Sequence, residues 1–432
     1  MGNSVRPGLC VVPLTAYCKH SLAIRREEMK MQRGSYFRRI IWVGIVVGLV
    51  LISAGAYCGD VTEVEIGGIT SLSGVAAPWG IGMNNVWQLA IDEINNGGKW
   101  WKKKGFTVNG KKYNWKLKTY DHAFDAGKAV SAANRLINRD RVKIIFAFDG
   151  GMIKAFQPIS EKAKVITVAY ASPGKDYINP KNFYTWMYGI DCMAAVIFYP
   201  WLEKNTDIRR IAILEPDHWT GHTTEAASRF GISKTKLEIV FDDFFPADMT
   251  DFYPILTRII QKKPDLIDIG NVDPAARALI VKQARELGFK GPMYIITPDI
   301  ANLKSVAGWE NCEKLYFAPY DTQLTEGQKY VKDMYVKRFG EENWIGAISY
   351  IFWDYAFWLS EAIEKAGTFD TTTVCNVLEK MKLKSIYGEP AYFAGKGYYG
   401  INRMPLYPYN ISQVQNGKLV QVISGAYATY LK

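Results

Sequence analysis

The sequence predicts an α/β protein of two similar halves, each a mostly parallel sheet with helices on both faces. Two observations carry this. From Glu63 to Phe317, short strand-like runs alternate with helical segments, and the cycle occurs once and then repeats. In addition, 376 residues follow Ala56, more than one hydrophobic core comfortably supports.

Glu63 to Thr70 alternates as a half-buried strand. The loop Ser71-Leu72-Ser73-Gly74-Val75-Ala76-Ala77-Pro78-Trp79-Gly80 follows. A helix comes next, with Met83, Val86, Trp87, Ala90 and Ile94 on one face, and Asn95-Asn96-Gly97-Gly98 as its stop signal. Such a strand-loop-helix unit presents hydroxyls and unpaired N–H groups to an anion. Lys99 to Lys112 breaks the pattern with six lysines, Trp100 and Trp101, and Val108-Asn109-Gly110-Lys111 is a hairpin turn. No other basic stripe accompanies it, so it reads as a solvated hairpin rather than a nucleic-acid or membrane surface.

Strands are expected at 115–120, 143–148 and 165–169, with helices at 126–139 and 153–163. The second cycle has a helix at 193–202, a strand at 210–214 opening into the loop Glu215 to Gly221, and strands at 237–241, 266–269, 293–296 and 314–317. Helices are expected at 253–262, 275–287, 326–339, 349–366 and 372–381. The tail from Tyr387, rich in Gly, Pro and Tyr, reads as strands and loops.

The net charge of +11 is concentrated at the front. Eight basic and two acidic residues before Tyr57 supply six of it, leaving +5. Met31 to Arg39 is a basic region, Ile40 to Ile52 an apolar core, and Ala54-Gly55-Ala56 an A-x-A cleavage site. This core is short against the roughly 20 residues of a membrane span, so a cleaved secretory signal, cut after Ala56, is preferred to an uncleaved anchor. A start at Met29 or Met31 would account for the residues before it. Tyr57 stands where a small residue precedes a lipidated cysteine, so Cys58 is not expected to carry lipid. Cys192, Cys312 and Cys375 are far apart with no C-x-x-C, so no zinc site or disulfide framework follows.

The segments Ser71-Leu72-Ser73-Gly74 with Trp79-Gly80, Asn95 to Gly98, Asp217 to Gly221, Pro264 to Ile267, Gln283 to Gly288 and Ala307-Gly308 occur in an order and spacing that carries a resemblance. They resemble the solute-binding proteins of ATP-driven (ABC) importers, of the branched-chain amino acid (leucine/isoleucine/valine) type. The resemblance implies the type I periplasmic binding protein fold, two Rossmann-like three-layer α/β lobes joined by three hinge crossovers near Thr185, Pro319 and Ser385. Lobe 1 would be 57–185 plus 319–385 and lobe 2 would be 186–318 plus 386–432, after a leader at 1–56. It further implies a periplasmic monomer that closes on a small amino acid-like or carboxylate-bearing solute and delivers it to membrane permease subunits, without a cofactor.

The resemblance also implies site residues. Ser71, Ser73, Gly74, Asp149, Gly150, Gly151, Ala171 and Ser172 match the loops that hold a ligand carboxylate in relatives. Asp299, in Thr297-Pro298-Asp299, stands where an acid holds the ammonium. Trp219 or Thr220 stands at the mouth of lobe two, and Trp79, His218 and Asp273 complete the candidate set. Asp149-Gly150-Gly151-Met152 departs from the pattern, because relatives that bind amino acids have a Ser or Thr there and an acid would repel a carboxylate.

Each candidate has a plainer role. Asp299 could simply cap the next helix, Ser71 and Ser73 could bond their own loop, and most of the 12 tryptophans after the leader must be core or surface. His218 and His222 lie four apart, but Gly221 and the lack of a third ligand argue against zinc. Gly395-Lys396-Gly397-Tyr398-Tyr399-Gly400 matches G-x-G-x-x-G without a following helix or acid, so no dinucleotide site is read. No nucleophile-base motif points to an enzyme. Two alternatives to an importer receptor are a ligand-sensing module of the same fold, which would normally carry a further membrane or effector segment, and an enzyme with an unrecognised site.

Overall fold

The computed structural model describes residues 61–431, apart from 75, 171–173, 189, 297, 319–322, 342, 345–346 and 389–390, with backbone only at 188, 190–192, 347–348 and 351. The leader 1–56, Cys58, Ala171, Ser172 and the crossover at Pro319 lie outside the described residues. Cys312 and Cys375 are buried free thiols.

The first part of the chain runs β1 (Thr62–Thr70), α1 (Ala77–Asn96), β2 (Phe106–Val108), β3 (Lys111–Asp121), α2 (Ala126–Asn134), β4 (Ile144–Phe148), α3 (Gly150–Lys162), β5 (Ile166–Tyr170) and β6 (Thr185–Tyr188). These strands form one sheet in the order β2-β3-β1-β4-β5-β6, parallel except for the β2-β3 hairpin. Every residue of β4 is buried, as expected of a central parallel strand covered on both faces. Met83, Val86, Trp87, Ala90 and Ile94 of α1 are all fully buried, and the Trp87 ring packs on Phe146 of β4 at 5.7 Å. Asn109 and Gly110 both have positive φ, 48° and 78°, the conformation a two-residue hairpin demands.

The six lysines of this segment are exposed, as a solvated hairpin requires, while the residues before the hairpin strands are docked. Trp101 is buried, its Nε1 donates to Gly105 O at 2.8 Å, and the Glu93 carboxylate accepts from the N–H groups of Trp100 and Trp101.

The second part contains α4 (Ile190–Asn205), β7 (Arg210–Pro216), α5 (Trp219–Ile232), β8 (Glu238–Phe245), α6 (Tyr253–Gln261), β9 (Leu266–Asp268), α7 (Pro274–Glu286), β10 (Met293–Ile296) and β11 (Leu315–Ala318). After these come α8 (Glu326–Phe339), α9 (Ala347–Ala366) and α10 (Thr371–Leu378), then β12 (Tyr392–Ala394), β13 (Met404–Leu406), β14 (Tyr409–Gln415) and β15 (Lys418–Ala426). The second sheet has the order β15-β14-β11-β10-β9-β7-β8. Its β8-β7-β9-β10-β11 part is parallel, and β14 and β15 add antiparallel strands. Helices α9 and α1 pack together beside the first sheet, and β12 pairs only with β13.

Three differences from the sequence expectation have physical causes. The helix expected at 126–139 is α-helical to Asn134 and continues as a π-helical turn, Arg135–Arg139. The strand β6 is not expected from sequence, because Thr185-Trp186-Met187-Tyr188 is only four residues long and does not alternate between apolar and polar. The loop through Gly221 is in fact the start of α5. Gly221, Gly231 and several threonines make that segment a poor helix former, yet both glycines sit where no side chain fits. A Cβ would lie 2.0 Å from Pro216 O at Gly221 and 2.6 Å from Ala195 O at Gly231. Close packing under the helix therefore outweighs propensity.

Candidate functional site

In the first sheet β1 is flanked by β3 on one side and β4 on the other, so the strand order reverses between β1 and β4. In the second it reverses between β7 and β9. Ligands of open α/β sheets bind beyond the carboxyl ends of the strands at such reversals. The loops there are Ser71 to Ala76 and Asp149 to Gly151 on the first sheet, and Asp217 to Trp219 and Gly270 to Asp273 on the second. Most of the sequence-selected residues fall on these four loops.

On the first sheet the polar groups bind one another. Asp121, ending β3, accepts from Leu72 N at 2.8 Å, Ser73 Oγ at 2.5 Å and Ala123 N at 2.7 Å. Burial opposes its ionisation, but these donors outweigh burial and hold its pKa below the usual value. Ser71 is fully buried, with Oγ 3.3 Å from His122 Nδ1. Phe124 N–H also points at Nδ1, at 3.0 Å. An amide can only donate, so the ring proton sits on Nε2, which donates to Phe148 O at 3.3 Å. Burial lowers the His122 pKa against the pull of Asp149. Gly74 turns the loop at φ 79°, and Gly80 lets α1 approach it, since a Cβ there would lie 1.9 Å from Ser71 O.

Asp149 adopts φ 82° and caps α3, accepting from Gly151 N at 3.1 Å. Burial raises its pKa against the His122 ring and the N–H groups of Met152 and Gly151. The anion position at the start of α3, which includes Gly150 and Gly151, is thus filled by this carboxylate. Beside it three rings form a row. Trp79, 40% exposed, stacks on Phe148 at 6.3 Å, and Phe148 stacks on Tyr170 at 6.3 Å.

On the second sheet His218 caps α5, its Nδ1 accepting from Gly221 N at 3.3 Å. The proton therefore lies on Nε2, 3.7 Å from Asp273 Oδ2. That histidine, working against burial, holds the Asp273 carboxyl below its usual pKa. His222 instead faces Asp217, with Nε2 2.9 Å from Oδ1, so the two histidines do not share a face as ligands. The Thr220 carbonyl accepts from the Thr223 and Thr224 hydroxyls. Asp299, exposed after β10, accepts from Asn302 N at 3.0 Å.

One residue among these loops carries no sequence signal. Arg277, on the first turns of α7, is only 2% exposed. Burial lowers its pKa to about 10 against the opposing charges of Glu215, Asp273 and Asp299, so one guanidinium lies within the field of acids at the ends of β7, β9 and β10. Nothing in Pro274-Ala275-Ala276-Arg277-Ala278 distinguishes it from a solvent-facing arginine.

The jaws meet through α3 and α5. Lys154 of α3 has its Nζ 4.1 Å from the centre of the Trp219 ring and pairs with Asp176. Tyr177 meets Trp219 edge-on at 4.9 Å, and its hydroxyl donates to Gly150 O. A separate open concavity of about 650 Å³ between α9 and α10, rimmed by Lys365, Lys380 and Lys382, contains none of the sequence-selected residues. Among the described residues, no helix is long and apolar enough to cross a membrane.

Residues 63–418 match the profile of the family described as periplasmic binding protein. The leucine-specific-binding protein of Salmonella typhimurium is 25% identical over 272 residues, 60% of this chain and 68% of that protein. A crystal structure of a leucine binding protein from Thermotoga maritima superposes with a TM-score of 0.66 at 22% identity, covering 84% of this chain and 98% of that one. A branched chain amino acid ABC transporter periplasmic ligand-binding protein from Burkholderia xenovorans gives 0.68 at 19%, covering 85% and 96%. With the profile spanning most of the sequence, the chain belongs to the periplasmic binding protein family.

Proposed function

We propose that this chain is the solute-binding receptor of an ABC importer, exported to the periplasm by its N-terminal leader, and that it is a monomer that captures a small amino acid-like or otherwise amphipathic solute between two lobes. The observation that supports this most is the pairing of the two strand-order reversals, whose loops approach each other through Lys154 and Trp219. Two lobes able to hinge would open and close that space. In this reading 57–185 with 319–385 forms one lobe and 186–318 with 386–432 the other, and β1–β6 and β7–β11 with β14–β15 as two separate sheets support such a division. The buried Arg403 guanidinium links the segments near two of the crossovers, donating to Phe183 O and the Glu379 carboxylate. Met187 N donates to the Arg403 carbonyl at 3.1 Å.

The curated relatives are named for leucine or for leucine, isoleucine and valine, which supports transport of a solute of that size. The ring row of Trp79, Phe148 and Tyr170 supports an apolar or aromatic body on it. Native mass spectrometry of freshly purified protein, followed by identification of the co-purified compound, tests this function. A receptor returns the compound unchanged and becomes more compact by small-angle scattering when it binds. Conversion of the compound during incubation would replace the receptor by an enzyme.

A further inference from the structure

The contact between the jaws is built as a seat for a cation, and a side chain of the protein occupies it. Trp219 from the second sheet's loop and Tyr177 from the first sheet's side stand at 90° to one another with ring centres 4.9 Å apart. The Lys154 ammonium lies 4.1 Å from the Trp219 ring centre and 5.7 Å from that of Tyr177, and it pairs with Asp176. Two ring faces and a carboxylate around one positive charge form an ammonium site. The site is held rigidly. Tyr177 is fully buried and anchored by its hydroxyl to Gly150 O. Gly174 packs so closely that a Cβ there would lie 3.0 Å from Trp219 Cζ2 and 2.6 Å from Asp176 Oδ1. Because its walls come from both lobes, the seat is complete only when they meet.

Among the described residues, the groups that would seat a carboxylate are already engaged. Asp149 occupies the start of α3, the Ser71 hydroxyl is bonded to His122, and that of Ser73 to Asp121. A ligand carboxylate brought to these loops would meet Asp149 and Asp121 rather than free donors, and like charges at that range repel.

Resting on the receptor reading above, we propose that the cleft takes an organic ammonium compound that needs no carboxylate. Its cationic nitrogen sits against Trp219, Tyr177 and Asp176 in place of the Lys154 ammonium, and its apolar body lies toward Trp79 and Phe148. When the lobes meet without solute, Lys154 serves as an internal stand-in that the solute displaces.

Calorimetric titration of the exported chain with tyramine, tetramethylammonium and 4-hydroxyphenylacetate tests this, with Trp fluorescence and small-angle scattering as parallel readouts. The two cations are expected to bind and compact the protein, and the carboxylate is not. Lys154→Met removes the competing charge and keeps the stem, so tyramine should bind about tenfold tighter. Asp176→Asn and Trp219→Leu should each weaken it at least tenfold. Unchanged tyramine affinity in Lys154→Met overturns the proposal. So does binding of 4-hydroxyphenylacetate or leucine with compaction while the cations fail, although the receptor function then stands. If no compound binds and none co-purifies, the receptor reading falls and takes this inference with it.

Discussion

The first-sheet jaw turns its polar groups inward, with Asp121, Ser71, Ser73, His122 and Asp149 bonded among themselves or to backbone N–H groups. The second-sheet jaw instead gathers like charges around a single opposite one, with Glu215, Asp273 and Asp299 about Arg277. The two arrangements stabilise charge by different means. Hydrogen-bond donors stabilise a carboxylate locally and leave little field outside. A buried arginine among three acids leaves a net negative rim, and its stability depends on one side chain. The contrast teaches that the first loops are closed on themselves, whereas those of the second sheet leave Asp273 and Asp299 exposed beside Trp219.

The largest expected effect breaks the second jaw. Arg277→Met removes a positive charge that opposes the fully buried Glu215, and taking an opposite charge away from a buried acid is expected to cost roughly 3 kcal/mol. The same readout on Asp121→Asn, which keeps an acceptor for Leu72 and Ala123, should show about 1 kcal/mol. Urea unfolding of both variants measures this. Equal losses would erase the distinction between the jaws.

The same logic of donors supplied or withheld separates two fully buried carboxylates. Asp268 accepts from the Tyr199 and Ser228 hydroxyls and from Gly270 N, and burial, offset by these three, raises its pKa to about 6. Asp354 on α9 accepts from Ser385 Oγ at 2.6 Å and more distantly from Ile386 N. With burial less offset, and Lys384 pulling the other way, it is raised to about 8. An acid whose folded pKa exceeds its unfolded value of about 3.9 binds more protons folded than unfolded between the two. Stability therefore falls as pH rises through that window, which closes near 6 for Asp268 and near 8 for Asp354. Between these values Asp354 contributes a loss of about 1.4 kcal/mol per pH unit. Half-buried Asp242, raised to about 7 by burial and then by Glu225, adds to the lower part of the slope. Urea midpoints at the two ends should converge in Asp354→Asn relative to the unaltered chain. An unchanged slope would show that Asp354 is ionised throughout.

The fold was legible because its signals are periodic. The apolar face of α1 and the apolar run of β4 are read directly from residue order, as is the β2-β3 turn from Asn109-Gly110. The switch-point loops were legible for the same reason, since a strand end followed by small polar residues and a helix is a local pattern. What escaped depends on partners distant in sequence. His122 matters because Ser71 and Phe148 reach it, Arg277 because three strand ends converge on it, and Lys154 because Trp219 comes from the other half of the chain. The helix α5 escaped because the closeness of Pro216 and Ala195 compels its glycines, and propensity registers them only as breakers.

The smallest effects set the two jaws side by side. Ser71→Ala and Ser73→Ala each remove a hydroxyl bonded within the loop, to His122 and to Asp121. Each should cost about 1 kcal/mol in stability and change affinity for the co-purified solute less than about twofold, within 0.4 kcal/mol by the tenfold-per-1.4 rule. Asp299→Ala also loses a cap, the bond from Asn302 N, with a similar stability cost of about 1 kcal/mol. Its carboxylate is exposed and part of the acidic rim, however, so affinity should fall about tenfold. Stability alone therefore does not separate the three variants, and affinity does. If Ser71→Ala weakens binding as much as Asp299→Ala, the Ser71 hydroxyl turns from His122 to the solute on closure, and the first jaw is a contact surface after all. If Asp299→Ala leaves affinity unchanged, Asp299 is only a helix cap, and the negative rim must act through Asp273.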